Sequence, residues 1–523
     1  MCCEWRMGSR FHRCVAAERK PPARRNTPVQ SPAAIIISGA DRVELRRRDD
    51  AEKTTAKRRR SKMAKLTSSV SEKHFCRLIE QHCRLFGVAA SPPADKHSRH
   101  FHHRGWHMSR FTRRSFLQTT GLAAAALTSP LGAPSIIRSA QAAGTVKLGC
   151  LFSSSGTMAN IEGRLNHVVR MAADEINAKG GVNGRTIEVA VSDPASDWPL
   201  YAQIGKQMLE QDKVAALFGC WTSVSRKSVL PVVEQANGLL FYPLHFEGDE
   251  NSKNVVYVNS PPASSVLPAV DYLMSEDGVS AKRFFMLGSD YVWPRTINKQ
   301  LKGYWKSKGI PESAWKEEYV PLGFSNFQTL VNQIRAFADQ GGGKPIVVLT
   351  VVGSSIPDFL REFANQGIKA TDVPVLGLDM VEADLEGLNT EPLVGHLNCW
   401  AYLQNAKGAA NAKFLKQWAD YVKAKNVPFK ADVAIDPMVS AYDAVHLWAM
   451  AAAKANSFDV PEVRKAFAGL SFDCPSGYKI QMTGENNYAS RGVFIGSVNE
   501  KQGFDVLWQS KDAPKPVPFS PYS

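Results

Sequence analysis

Residues 146–181 read VKLGCLFSSSGTMANIEGRLNHVVRMAADEINAKGG. The first seven form an apolar run that ends in Ser153-Ser154-Ser155-Gly156-Thr157, a cluster of turn formers, and so predict a buried strand followed by a loop. Residues 161–178 then place Leu165, Val168, Val169, Ala172, Ala173 and Ile176 at helical spacing, and Gly180-Gly181 ends the run. Strand, small-residue loop and amphipathic helix open a βαβ unit. The alternation continues outward, with strands expected at 186–191, 214–218 and 238–242 and helices at 200–209 and 223–235. Such alternation builds a parallel sheet with helices on both faces.

A second set follows the Pro-rich crossing Ser260-Pro261-Pro262, with strands expected at 283–287, 346–350 and 373–376. Its helices are expected at 264–275, 296–306, 327–338 and 356–366. Helices at 410–424, 437–453 and 461–468 have no strands of their own, which sends them back to cover the first lobe. Short strands at 479–482, 493–498 and 504–508 finish the pattern. The fold class is therefore α/β: two Rossmann-like lobes joined by hinge crossings, with a ligand cleft at the carboxyl ends of both sheets. Residues 143–260 and 403–478 are expected in lobe 1, 261–402 and 479–510 in lobe 2, and 511–523 in a C-terminal tail.

Charge divides the 523 residues unevenly. Residues 1–142 hold 28 Lys and Arg against 10 Asp and Glu, and the rest hold 36 against 39. The net +15 thus belongs to the front of the chain and is no nucleic-acid footprint of the folded part. Residues 1–107 mix basic and Pro-rich stretches without sustained periodicity. They read as upstream sequence translated in error ahead of a start at Met108, the alternative being a disordered basic arm. Next, SRFTRRSFLQ at 109–118 resembles a twin-arginine export signal, followed by a weakly apolar Ala-rich segment and the cleavage site Ala140-Gln141-Ala142. Residues 108–142 are therefore expected to be removed, leaving a periplasmic chain that does not span the membrane. Cys150, Cys220, Cys399 and Cys474 are expected as buried free thiols.

No reactive constellation stands out: there is no G-x-S-x-G, P-loop, H-E-x-x-H, C-x-x-C or G-x-G-x-x-G. His167, His245, His396 and His446 occur singly and read as structural histidines. No catalytic residue, cofactor or metal is expected. The predicted strand ends carry hydroxyl, aromatic and Gly residues instead: Ser155; Trp221 and Ser223; Tyr242 and Leu244; Tyr291 and Trp293; Gly353; and Asp379. Aromatic walls with a few aimed donors and acceptors suit a small planar polar solute. Phe241 reads as core.

Several of these stretches resemble the urea-binding proteins of bacterial ABC urea transporters. They are DPASDWPL at 193–200, FGCWTSVSRKSVLP at 218–231, GLLFYP at 238–243, DYVWPRT at 290–296, ANQGIKATDVP at 364–374 and PLVGHL at 392–397. The similarity runs from about residue 146 to 508. The wider family is the branched-chain-amino-acid type (type I) of periplasmic binding protein, which includes the short-chain amide sensor of amidase operons. The resemblance implies two lobes that close on a small-molecule ligand, and delivery to an ABC permease with cytoplasmic ATPases. It also implies pocket positions at Trp221, Ser223, Tyr242, Tyr291 and Trp293, with Leu244 and Gly353 beside them. Trp293 departs from the urea-type pattern, which has a tyrosine there. Val352-Gly353-Ser354-Ser355 is closer to the amide sensor, and residues 377–383 also differ. The implied function is extracytoplasmic binding of urea or a short-chain amide. Ser223 and nearby backbone N–H groups would serve the carbonyl oxygen, Asp379 the N–H groups, and Tyr242, Tyr291 and Trp293 the flat faces. A short-chain amide sensor and a branched-chain amino-acid-binding protein are the alternatives.

Overall fold

The computed structural model describes residues 144–484 and 487–523. The upstream segment, the export signal and the cleavage site lie outside the described residues.

Strands Thr145–Leu151 (β1), Thr186–Val191 (β2), Ala216–Gly219 (β3), Leu240–Tyr242 (β4) and Val255–Tyr257 (β5) form a parallel sheet of order β2-β1-β3-β4-β5. Helices Ala159–Ala178 (α1), Trp198–Glu210 (α2) and Ser223–Gln235 (α3) connect the first four strands in turn. Side chains just outside two of them satisfy exposed backbone N–H groups: Asp197 accepts from Leu200 ahead of α2, and Thr222 from Ser225 ahead of α3.

The second sheet draws on Ala281–Ser289 (β6), Trp315–Val320 (β7), Lys344–Thr350 (β8), Val375–Gly377 (β9) and Leu397–Trp400 (β10). Later in the chain, Ser471–Asp473 (β11) and Lys479–Gln481 (β12) pair with each other as a separate antiparallel ribbon. Phe494–Val498 (β13) and Phe504–Gln509 (β14) complete the second sheet, whose order is β14-β13-β10-β9-β8-β6-β7. Its five strands from β10 to β7 are parallel, while β13 and β14 run antiparallel at one edge. Val266–Met274 (α4), Val292–Ser307 (α5), Gln328–Ala338 (α6) and Ser355–Asn365 (α7) belong to this part of the chain.

Strand pleating divides the second sheet's side chains between two cores. Phe285, Leu287, Val347 and Leu349 enter one, and Phe284, Met286, Ile346 and Val348 the other. Burial on both faces is why these strands read as continuous apolar runs. The first sheet has a single large core. It also takes in Phe414 and Trp418 of Ala409–Lys425 (α8), Val439 and Trp448 of Asp436–Ala455 (α9), and Val463 of Val460–Ala466 (α10). The chain therefore passes through the second sheet and returns to cover the first.

Four strands escaped the sequence reading. β5, β10 and β11 are only three or four residues long. β7 carries Lys316, Glu317 and Glu318 at an edge where β6 alone pairs with it, so charge hides its period. Helix α5 begins at Val292, before the expected residue 296, which puts Trp293 and Pro294 in its first turn. A proline there costs little, because first-turn N–H groups have no helical partner. Cys150, Cys220, Cys399 and Cys474 are free and buried, as expected. No described helix is long and apolar enough to cross a membrane.

Candidate functional site

Parallel strands of both sheets deliver their carboxyl ends to one region. After β3, Cys220 takes the left-handed φ of 71°, which turns the chain so that Trp221 and the cap Thr222 precede α3. After β4 come Pro243, Leu244 and His245. From the second sheet, Tyr291 precedes α5, Trp293 sits in its first turn, and Asp379 follows β9. Trp221, Tyr242, Leu244, Trp293 and Asp379 are all buried.

The His245 ring lies against two tryptophans of the second sheet's side. It stacks on Trp293 with centroids 5.1 Å apart, and meets Trp400 at 4.2 Å and 41°. Its Nε2 stands 3.7 Å from Asp379 Oδ1, too far for a hydrogen bond. Tyr291 lies 6.4 Å from Trp293, and the Tyr242 hydroxyl donates to the Trp221 carbonyl at 2.7 Å. Three buried polar atoms in this cluster find no hydrogen-bond partner among the described residues: Trp221 Nε1, Trp293 Nε1 and Asp379 Oδ2. Each such atom costs about 1–3 kcal/mol when left alone, so a cluster of them marks a place for a polar ligand.

Burial pushes the Asp379 carboxyl well above the usual carboxylate range, and Asp384 adds to the shift. The Trp221 indole N–H opposes it, though it closes no hydrogen bond of normal geometry. Burial also lowers His245 to about 3, so the imidazole is neutral in ordinary buffers. The Tyr291 hydroxyl is held well above its usual value by burial and by Asp379. Burial thus disfavours charge on each of these titratable groups of the enclosure.

A charged network lies beside it. Arg226 sits between Tyr242 and Phe246, 4.6 Å from each ring centroid, and pairs with Glu250 at 2.9 Å and Glu247 at 3.1 Å. Burial works against its charge, and Glu247, Tyr242 and Glu250 more than offset that. The Ser223 hydroxyl donates to Glu247 and accepts from Arg226 at 3.2 Å.

The structure thus gathers Trp221, Tyr242, Tyr291, Trp293 and Asp379, with Leu244 buried on the loop between Tyr242 and His245. Three expected site residues stand differently. The Ser223 hydroxyl hydrogen is committed to Glu247, which leaves none to donate to a ligand oxygen. Ser155 is exposed and donates to Asp193 at 2.7 Å, outside the aromatic enclosure. Gly353, at φ 63°, marks a close approach between the sheets' loops: a Cβ there would lie 2.8 Å from Met158 Sδ and 3.1 Å from the Thr157 carbonyl. Trp400 and Glu247 were not singled out from sequence, Arg226 stood only within the stretch 218–231, and His245 was read as a structural histidine. The available signal for His245 was its place just past a strand end, but nothing local separates it from His396, whose Nδ1 accepts the Val375 N–H in the core at 3.2 Å. No group of His, Cys, Asp and Glu suited to a metal occurs among the described residues.

Residues 146–523 match the family model described as periplasmic binding protein domain. Leu/Ile/Val-binding protein homolog 7 of Brucella melitensis biotype 1 is 21% identical over 371 residues, covering 67% of this chain and 89% of the relative. A similar solved structure is an ABC-transporter solute-binding protein from Rhodopseudomonas palustris HaA2 in complex with p-hydroxybenzoic acid, with TM-score 0.61, 18% identity and coverage of 71% and 98%. Another is the branched-chain amino acid transporter substrate-binding protein of Streptococcus pneumoniae in complex with isoleucine, with TM-score 0.58, 18% identity and coverage of 71% and 100%. At such identities the solved structures speak for the fold alone. The chain therefore belongs to the periplasmic binding protein domain family.

Proposed function

We propose that the mature chain is the extracytoplasmic solute-binding subunit of an ABC importer and carries urea or a short-chain amide to the permease. The observation that carries this reading is the set of buried atoms without partners, Trp221 Nε1, Trp293 Nε1 and Asp379 Oδ2, inside an aromatic enclosure where burial disfavours charge. Urea and acetamide are planar and neutral; each offers a carbonyl oxygen to N–H donors and N–H groups to acceptors. An amino acid would bring an α-carboxylate and an α-ammonium. Arg226, the guanidinium beside the site, is already paired with Glu247 and Glu250, and burial favours the neutral acid at Asp379. Charged groups entering such a site would lose hydration without gaining counter-charges. Residues 108–142 would direct export, and 143–260 with 403–478 would form the lobe that closes on 261–402 with 479–510. The permease and its ATPases are the implied partners.

A thermal-shift screen with urea, formamide, acetamide, leucine and 4-hydroxybenzoate tests the ligand class, since a ligand at 100 times Kd adds about 2.7 kcal/mol. Stabilisation by the amides alone is the expected result. Stabilisation by leucine or 4-hydroxybenzoate alone overturns it. For export, changing Arg113 and Arg114 to Lys is expected to leave precursor in the cytoplasm, and unimpeded export of that variant rejects the twin-arginine route.

A further inference from the structure

The three unpartnered atoms leave the site unbalanced. Trp221 and Trp293 each bring an indole N–H, which can only donate. Asp379, whose charge burial disfavours, brings acceptor oxygens and, when protonated, an O–H. An amide carbonyl has two lone pairs for such donors, and the amide N–H groups then need an acceptor. The Tyr242 hydroxyl spends its hydrogen on the Trp221 carbonyl, and its oxygen keeps lone pairs that can accept. Ser223 is held by Glu247 and Arg226.

His245 adds a nitrogen acceptor to these oxygens. Its ring is fixed in place by contact with Trp293 and Trp400, and its Nε2 points toward Asp379 across 3.7 Å. That spacing is too long for the two to satisfy one another, so the imidazole can still take another partner. An uncharged imidazole has one nitrogen lone pair that accepts a hydrogen bond. Placed among two indole donors, that lone pair meets a ligand that carries both a carbonyl oxygen and an N–H group.

We propose that His245 accepts a hydrogen bond from the ligand's N–H and so sets the site's preference for neutral amides. The assignment rests on the ligand class proposed above and adds a residue that the motif resemblance does not assign to the pocket. His245 acts here as a binding and specificity residue, and it brings a residue following the first sheet's strand β4 into contact with the second sheet's tryptophans.

The test is calorimetric titration of the parent, His245→Phe and His245→Gln with urea, formamide and acetamide, with melting temperatures measured on the ligand-free proteins. Phenylalanine keeps the ring contacts and removes the acceptor, so binding is expected to weaken about tenfold or more, the usual scale for one hydrogen bond lost in a desolvated site. Glutamine keeps a side-chain acceptor oxygen and is expected to restore most of the affinity. If His245→Phe does not fold, His245→Met serves as the acceptor-free variant. Equal affinity of the parent and the acceptor-free variant overturns the role of His245, as does failure of glutamine to restore binding. A parent that binds none of the three amides overturns the ligand class itself, so the two failures are distinguishable.

Discussion

Trp221 carries two polar groups that face different neighbours. Its carbonyl accepts the Tyr242 hydroxyl at 2.7 Å, which ties the loop after β3 to the end of β4. Its indole N–H finds no partner and lies toward Asp379. Trp221→Phe preserves the carbonyl and most of the flat wall but removes that donor. Ligand affinity is expected to fall roughly 5- to 150-fold, corresponding to about 1–3 kcal/mol, with little change in melting temperature. Unchanged affinity in a titration calorimeter would remove the indole N–H from the site. Ser223→Ala should behave in the opposite way. Its hydroxyl bridges Glu247 and Arg226, both buried, so the loss falls on the charged network. A hydrogen bond to a charged group contributes about 1.5–3 kcal/mol, and the variant is expected to lose stability on that scale while its affinity changes less than that of Trp221→Phe. The comparison fails if Ser223→Ala keeps the parent's denaturation midpoint and loses binding.

Between elements, the approach of the loop after β8 to the start of α1 depends on a missing side chain. Gly353 has φ 63°, a region that alanine enters only with strain, and an added Cβ would press on Met158 Sδ and on the Thr157 carbonyl. The methionine can swing aside, but the backbone carbonyl cannot do so cheaply. Gly353→Ala is therefore expected to cost about 1–2 kcal/mol of stability and to weaken ligand binding by holding the two loops apart. A melting temperature and a Kd both equal to the parent's would show that this approach does not matter. Elements of this kind were only partly legible in the sequence. The strand–helix alternation was legible because short apolar runs alternate with longer stretches of 3.6-residue period, and with it the strand ends where Trp221, Tyr242 and Asp379 lie. β5 and β10, three and four residues long, were missed although the equally short β4 and β9 were found, so length alone does not explain the difference. Long-range pairings leave no local trace at all. Nothing near Ser223 announces Glu247, and nothing near His245 announces Trp400, because each pair meets only when the loops at the sheets' ends are assembled.

At the scale of the whole molecule, folding buries carboxyl groups that keep their protons near neutrality, and this makes stability depend on pH. Burial raises Glu162 and Glu382 to about 7 and Asp384 to about 8. Their unfolded counterparts release the proton near pH 4, so above that pH the folded state binds more protons than the unfolded one. The resulting stability is fully present below about pH 4 and is lost as pH rises through 7 to 8. Two histidines act in the other direction. Burial lowers His245 to about 3 and His396 to about 4, so their contribution is present above about pH 6.5 and is lost on acidification below it. Above pH 6.5 the histidines no longer contribute a slope, and the acids remain. Asp379, pushed well above the usual carboxylate range by burial, adds to this slope, and Asp384, raised to about 8, is the group whose share can be removed separately. The parent's stability is expected to fall between pH 6.5 and 8 by up to about 1.4 kcal/mol per pH unit from this group. Asp384→Asn keeps an acceptor for the Val381 N–H, which Asp384 Oδ2 receives at 2.9 Å, but carries no proton to lose. Denaturant titrations at pH 6.5, 7.2 and 8 should therefore show a declining unfolding free energy in the parent and a flatter one in Asp384→Asn. A parent curve that is flat across this range, or a variant that declines just as steeply, would mean that Asp384 is not the proton held by the fold.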